Sequence, residues 1–270
     1  MERHLIALDL DGTLLDNNQQ ISEFTKETLR KVQDLGHLVV IATGRPYHAS
    51  IDYFYEVGMT GPLITDNGGN IREPLNPDFQ IVIDGIPTWV AHQIFVYSKP
   101  YLESAFYSYG DHVYSYKYLD RLHSIFMGSQ KAKIVHCDFL EYNHTPTGMI
   151  YLIDKSFKQS FENHLINDFG DYVNFRLWGE DTKHGIYEIY KRGSSKLSGI
   201  RWVQRHNQIK DENVMAFGDG LNDIEMLQGV AQGYAMPNGE LEAKHAAKAV
   251  IEFTNQEDGV AKFLKNYFKI

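Results

Sequence analysis

Asp9 and Asp11 close a short apolar run, Leu5-Ile-Ala-Leu8, and are followed at once by Gly12 and Thr13. In extended chain, residues two apart point to the same side. Two carboxylates therefore meet where the run ends, and their mutual repulsion opposes ionising both. A hard cation such as Mg2+, which takes oxygen ligands, is the usual means of holding such a pair. With a cation in place the two acids can divide the work. Asp9, ionised, can attack an electrophile, while Asp11 can hand a proton to a leaving group and later take one from water. Gly12 lets the backbone turn closely around a bound anion. Taken alone, the same residues also read as an Asp-rich turn.

Three further pieces sit in equivalent places, each ending a strand or opening a helix. Thr43-Gly44-Arg45-Pro46 follows the apolar run His37 to Ala42, offering a hydroxyl and an exposed amide to a phosphate oxygen. Lys196 stands at the start of a helix, where its ammonium adds to the helix's positive end in holding an anion. Gly218-Asp219-Gly220-Leu221-Asn222-Asp223 follows the run Asn213 to Phe217 and brings further carboxylates. Its spacing lacks the twelve-residue loop and terminal glutamate of a calcium-binding turn. Carboxylates for Mg2+, a hydroxyl and a lysine for a phosphate, and a free nucleophile together make a complete phosphoryl-transfer site. Arg45 is read as contacting solvent or its own loop and stays outside the catalytic set.

The elements that must position these residues alternate strand and helix. Ser22 caps a helix with Phe24, Leu29, Val32 and Leu35 on its inner face and Gly36 at its end. Pro46 opens a helix to about Val57, and Pro62 to Thr65 is a third strand. Such alternation specifies an α/β fold with a parallel sheet, doubly wound by right-handed crossovers, and places ligands beyond the carboxyl ends of the strands. From about Asp84 the chain turns aromatic. A hairpin is expected across Gly110-Asp111, strands over 148–153, 172–178 and 186–190, and an amphipathic helix over 156–169 with Phe157, Phe161, Leu165 and Phe169 at four-residue spacing. This reads as an α+β insertion at 84–188 between core segments 1–83 and 189–270. Short strands are expected at 234–236 and 249–253, with Thr254 and Glu257 boxing the final helix.

With its 270 residues, 43% of them hydrophobic, the chain has enough length for two cores. The formal net charge of -9 argues against nucleic acid or an anionic membrane as a partner. Cys137 is the sole cysteine, so no intrachain disulfide forms, and it is expected to be a small buried apolar residue. No signal peptide or membrane span is visible, and a cytoplasmic location is expected. The twelve histidines show no zinc spacing. His112, His123, His136 and His144 are read as surface or half-buried polar residues, and the tyrosines of the insertion as core and cross-strand pairs.

In order and spacing, D9-L-D11-G-T13, T43-G-R45, K196 and G218-D-G-L-N-D223 resemble the haloacid dehalogenase superfamily phosphatases of the Cof type. A235-M-P-N-G239 and the E-D-G at 257–259 are similar to that subfamily too. The resemblance implies a Rossmann-like core carrying an inserted cap of the C2 type, and a phosphatase using Mg2+. By the same resemblance Asp9 becomes phosphorylated and Asp11 is the general acid and base. Asp9, the backbone oxygen of Asp11 and Asp219 bind the metal, and Asp223 ligates it or orients a metal-bound water. Thr43, Gly44, Lys196, Asn222 and the amide of Leu10 hold the phosphate. The expected substrate is a small phosphorylated metabolite such as a phosphosugar. A phosphomutase and a low-turnover phosphometabolite sensor are the rival readings.

Overall fold

A computed structural model describes residues 2–110, 112–119 and 133–270. The chain forms two compact units. The first comprises Met1–Arg45, Ser50–Val82 and Ser195–Ile270, and the second comprises Pro46–Ala49 and Ile83–Ser194.

The amino-terminal part of the first unit begins with β1 (Leu5–Leu8) and α1 (Glu23–Asp34). The Ser22 hydroxyl accepts the Thr25 N–H at 3.0 Å, the cap expected there. Leu29 and Val32 are buried on the inner face of α1, but Phe24 and Leu35 are exposed, and Thr25 and Thr28 take the inner positions instead. Next come β2 (Leu38–Ala42) and α2 (Ile51–Val57). The expected helix from Pro46 is thus shorter, because a separate turn occupies Tyr47–Ala49. β3 (Leu63–Thr65) is followed by two strands that sequence patterning did not show, β4 (Asn70–Arg72) and β5 (Val82–Ile83). Both are too short to carry an alternation.

In the second unit α3 (Thr88–Ser98) precedes β6 (Leu102–Tyr109) and β7 (His112–Tyr116). They form the expected antiparallel hairpin, in which Tyr107 opposes Tyr114 as a stacked pair; Asp111 and His123 lie outside the described residues. β8 (Lys133–His136), β9 (Gly148–Asp154), α4 (Lys158–Phe169), β10 (Val173–Glu180) and β11 (His184–Lys191) complete it. The sheet order is β10-β11-β9-β6-β7-β8. Phe157, Phe161, Leu165 and Phe169 are all buried, packing with α3 residues Ile94 and Phe95 against Tyr107, Tyr151 and Tyr187 of the sheet. Helical spacing on α4 therefore meets period-two spacing on the strands in one core, an α+β arrangement. Cys137 packs against the rim of this core and is half-buried, not buried as its residue type suggested.

The first unit resumes with α5 (Lys196–His206), β12 (Val214–Gly218), α6 (Ile224–Gly229), β13 (Gln232–Ala235), α7 (Leu241–Ala246), β14 (Ala249–Val250) and α8 (Gly259–Phe268). The strand expected over 249–253 stops at Val250, and the Thr254–Glu257 box closes a turn just before α8. The sheet order is β14-β13-β12-β1-β2-β3-β4-β5. β1 pairs in parallel with both β12 and β2, and β4 is antiparallel to its neighbour β3. Leu5 and Ala7 face a core shared with Ile200 and Val203 of α5 and Met226 and Leu227 of α6. On the opposite face, Phe217 of β12 meets Phe263 of α8 at 5.3 Å. Burial on both faces explains why these strands read as unbroken apolar runs. No helix among the described residues is long and apolar enough to cross a membrane.

At the amino-terminal edge of the sheet, His37 is buried and its Nδ1 accepts the His4 N–H at 3.1 Å. That bond needs an unprotonated Nδ1. Burial, reinforced by the neighbouring charge of His4, pushes the imidazole down from 6.5 to about 4. The unfolded chain thus binds a proton that the folded chain refuses. The stabilisation is present above pH 6.5 and is lost as pH falls towards 4. Denaturant midpoints measured across that window should fall less steeply for His37→Gln than for the parent.

Candidate active site

The loop after β1 turns sharply. The Leu15 N–H donates to the Leu10 carbonyl at 2.8 Å, and Gly12 takes a φ of +71°. A Cβ on Gly12 would lie 2.2 Å from the Asp219 carboxylate, so only glycine lets the two loops approach this closely. Asp9 extends the strand, its N–H donating to the Phe217 carbonyl at 3.0 Å. The loops after two adjacent parallel strands are thereby brought side by side.

Lys196 sits in the first turn of α5. Ser195 caps the helix reciprocally with Ser198. The Lys196 ammonium is fully buried and donates to Asp9 Oδ1 at 2.5 Å and to Asp223 Oδ1 at 2.6 Å. The other oxygen of Asp223 accepts the N–H groups of Asp219 and Gly220, each at 2.9 Å. The glycine-flanked loop is therefore wrapped around a carboxylate four residues further on. Asp219 accepts from the Thr13 hydroxyl at 2.9 Å. Asp9, Asp219 and Asp223 each bring an oxygen within 4.8 Å of the others.

The Thr43 hydroxyl accepts the Arg45 N–H at 3.1 Å, and the Thr43 carbonyl accepts the Asn67 N–H at 3.0 Å. Asn222 Nδ2 donates to Asn67 Oδ1 at 3.0 Å, and both amides lie beside the Gly44 backbone, 3.1 and 3.2 Å from where a Cβ would stand. Asn67 thus joins the loops after β2 and β12. It lies in a strained turn, Asp66 and Asn67 having φ of +53° and +52°. A Cβ on Gly68 there would lie 2.0 Å from the Ser195 carbonyl, so this turn touches the start of α5.

Asp9, Lys196, Asp219 and Asp223 therefore converge directly, and Thr43, Gly44 and Asn222 are joined through Asn67. Leu10 is buried beneath the first loop. Asp11 differs: its half-exposed carboxylate turns to Arg45, accepting Nε at 2.7 Å and Nη2 at 2.5 Å. Arg45 turns its guanidinium to Asp11, where its sequence context suggested solvent or its own loop. Thr13 and Asn238 stood inside the quoted motifs without an assigned role, and Asn67 was not singled out; the Asn238 Nδ2 donates to the Gly12 carbonyl at 2.7 Å. Asn67 had a signal: it follows β3, whose loop must neighbour that of β2 in a parallel sheet.

Burial pushes the Asp9 carboxyl well up, Lys196 opposing it and the other two acids adding to it. Burial and the charges of Asp223 and Asp11 likewise raise Asp219 to about 6 against the Thr13 bond and Lys196. Burial alone would depress Lys196, but Asp223 and Asp9 reverse this and hold its proton firmly. For Asp11 burial is outweighed by the bonds and charge of Arg45, which keep it below its ordinary value. Three acids around one ammonium leave two negative charges in excess when all are ionised. That excess and an all-oxygen donor set suit a hard divalent cation, which Asp9 and Asp219 could hold.

A model of the haloacid dehalogenase-like hydrolases matches residues 6–264. The chain belongs to that family. It is similar to the 5-amino-6-(5-phospho-D-ribitylamino)uracil phosphatase YitU of Bacillus subtilis, with 31% identity over 99% of this chain and 98% of the relative. Phosphatase YwpJ of the same organism is 28% identical over 97% of this chain and 99% of its own. Among solved structures, a haloacid dehalogenase-like hydrolase from Bacteroides thetaiotaomicron superposes with a TM-score of 0.81 at 25% identity, covering 99% of this chain and 100% of that one. A Thermotoga maritima protein shares the fold, with a TM-score of 0.83 at 24% identity over 98% and 97%. Family and relatives bear out the enzyme class read from the motifs, a phosphatase of the Cof kind.

Removing the ammonium from this haloacid dehalogenase-like core strands two buried carboxylates. Lys196→Met should lower the unfolding free energy, measured by denaturant titration without added metal, by about 3–5 kcal/mol.

Proposed function

We propose that the protein is an Mg2+-dependent phosphatase that hydrolyses a small phosphorylated metabolite through a phosphorylated Asp9. The observation that carries this reading is the fully buried Lys196 ammonium between Asp9 and Asp223, with Asp219 beside them. A buried nucleophile next to a fixed cation suits an incoming phosphate dianion.

In the first step an Asp9 oxygen bonds to phosphorus as the ester P–O bond breaks, and Asp11 gives its proton to the departing alkoxide. In the second, water attacks the acyl phosphate and Asp11 takes the water's proton. The bond between Asp9 and phosphorus then breaks, releasing inorganic phosphate. Thr43, the Gly44 amide, the Leu10 amide, Asn222 and Lys196 hold the phosphoryl oxygens. Asp9, the Asp11 carbonyl and Asp219 would hold Mg2+, which supplies charge neutralisation for the acids and the transferring group. Both oxygens of Asp223 are already engaged by Lys196 and two loop amides, which favours its orienting a bound water. The unit spanning 83–194 acts as the cap that excludes bulk water. A phosphorylated sugar or sugar alcohol is the substrate class, since YitU and a second Bacillus subtilis relative are named for a phosphoribityl compound.

Phosphate release from a panel of phosphorylated metabolites, including phosphosugars and phosphoribitylaminouracil, tests the reading. One phosphate should appear per substrate consumed, chelation should abolish release, and Mg2+ should restore it. Asp9→Asn should remove turnover altogether. Undiminished hydrolysis by that variant, in protein free of contaminating phosphatase, would overturn the assignment.

A further inference from the structure

Arg45 has a place in the site that its position in the sequence does not announce. Its Nε donates to Asp11 Oδ2 and its Nη2 to Asp11 Oδ1, so the guanidinium meets both carboxylate oxygens with its fork. Such paired bonds fix direction as well as distance. The guanidinium is itself braced. Nη1 lies 3.4 Å from the Tyr53 hydroxyl, the guanidinium carbon is 5.4 Å from the centre of that ring, and Nη2 also donates to Gln19. The backbone of Arg45 is anchored at both ends, its N–H donating to the Thr43 hydroxyl and its carbonyl accepting the Asp66 N–H at 3.0 Å. Asp11, by contrast, sits in a loop with half of its side chain exposed. Besides Arg45, the Gln19 side chain is hydrogen-bonded to it.

We propose that Arg45 is a positioning residue for proton transfer, its guanidinium holding the Asp11 carboxylate in register with the ester oxygen that departs. This rests on the reading of Asp11 as the proton carrier. A carboxylate has about four acceptor sites, more than the bonds from Arg45 and Gln19 occupy, so the clamp leaves room for the transferring proton. Lysine offers a point charge without the fork and cannot impose the same orientation.

The test is dependence on the leaving group. An alkoxide needs a proton to depart, whereas 2,4-dinitrophenolate leaves without one. kcat/KM reports only the steps through alcohol release and is blind to hydrolysis of the phosphorylated Asp9. Arg45→Ala should lower kcat/KM on glycerol phosphate by about 10²-fold, in the range that general acid catalysis supplies. On 2,4-dinitrophenyl phosphate the loss should stay below about threefold. Arg45→Lys should retain much of the defect. It also serves as the readout should the alanine variant fail to fold. Equal losses on both substrates, or none on either, would overturn the proposal. Asp11→Asn measured alongside separates the two readings. If it shows the leaving-group dependence and Arg45→Ala does not, the role of Arg45 falls alone. If Asp11→Asn shows none, the assignment of Asp11 falls and takes that of Arg45 with it.

Discussion

A lysine ammonium with no exposure to water survives only where anions meet it at hydrogen-bond distance, because an unpaired charge inside a protein costs far more than folding can return. Lys196 meets that condition through Asp9 and Asp223, which lie 187 and 27 residues away in the chain. The arrangement of the first unit follows from it. β1 must deliver Asp9, α5 must begin where its first turn points inward, and the loop after β12 must fold back on itself to present Asp223. Gly68, pressed against the Ser195 carbonyl, sets where α5 starts. Gly12, pressed against Asp219, sets how near the first and last loops come.

The site divides its acids between two environments. Asp9 and Asp223 are buried with Lys196, and burial raises Asp9 while Lys196 restrains it. Asp11 stands at the edge, half-exposed and held by Arg45. Two carboxylates only two residues apart therefore have opposite shifts, and environment rather than residue type makes the difference.

Much of this was legible before any coordinates. Parallel strands buried on both faces need continuous apolar runs, so β1, β2, β3 and β12 announce themselves, and the residues ending each run fall at one edge of the sheet. Ser22 read correctly as a cap because capping is a local interaction. Reading α1 by period alone went wrong at Phe24 and Leu35, since either flank of an apolar stripe can face solvent, and the neighbours decide which. The short β4 and β5 were invisible because strands of two or three residues owe their existence to pairing partners.

The sequence by itself determined the class of fold, the alternation that makes it, and the identity of the acids, lysine and glycines that meet, because periodicity and motif spacing are properties of neighbouring residues. Only the tertiary structure decided that Arg45 grips Asp11, that Asn67 links Asn222 to the loop bearing Thr43 and Gly44, and that Asp223 spends both oxygens within the protein. Those contacts join residues 34, 155 and 27 positions apart. Which side chain of a loop turns towards which neighbour depends on how closely two backbones approach, and no local pattern carries that distance.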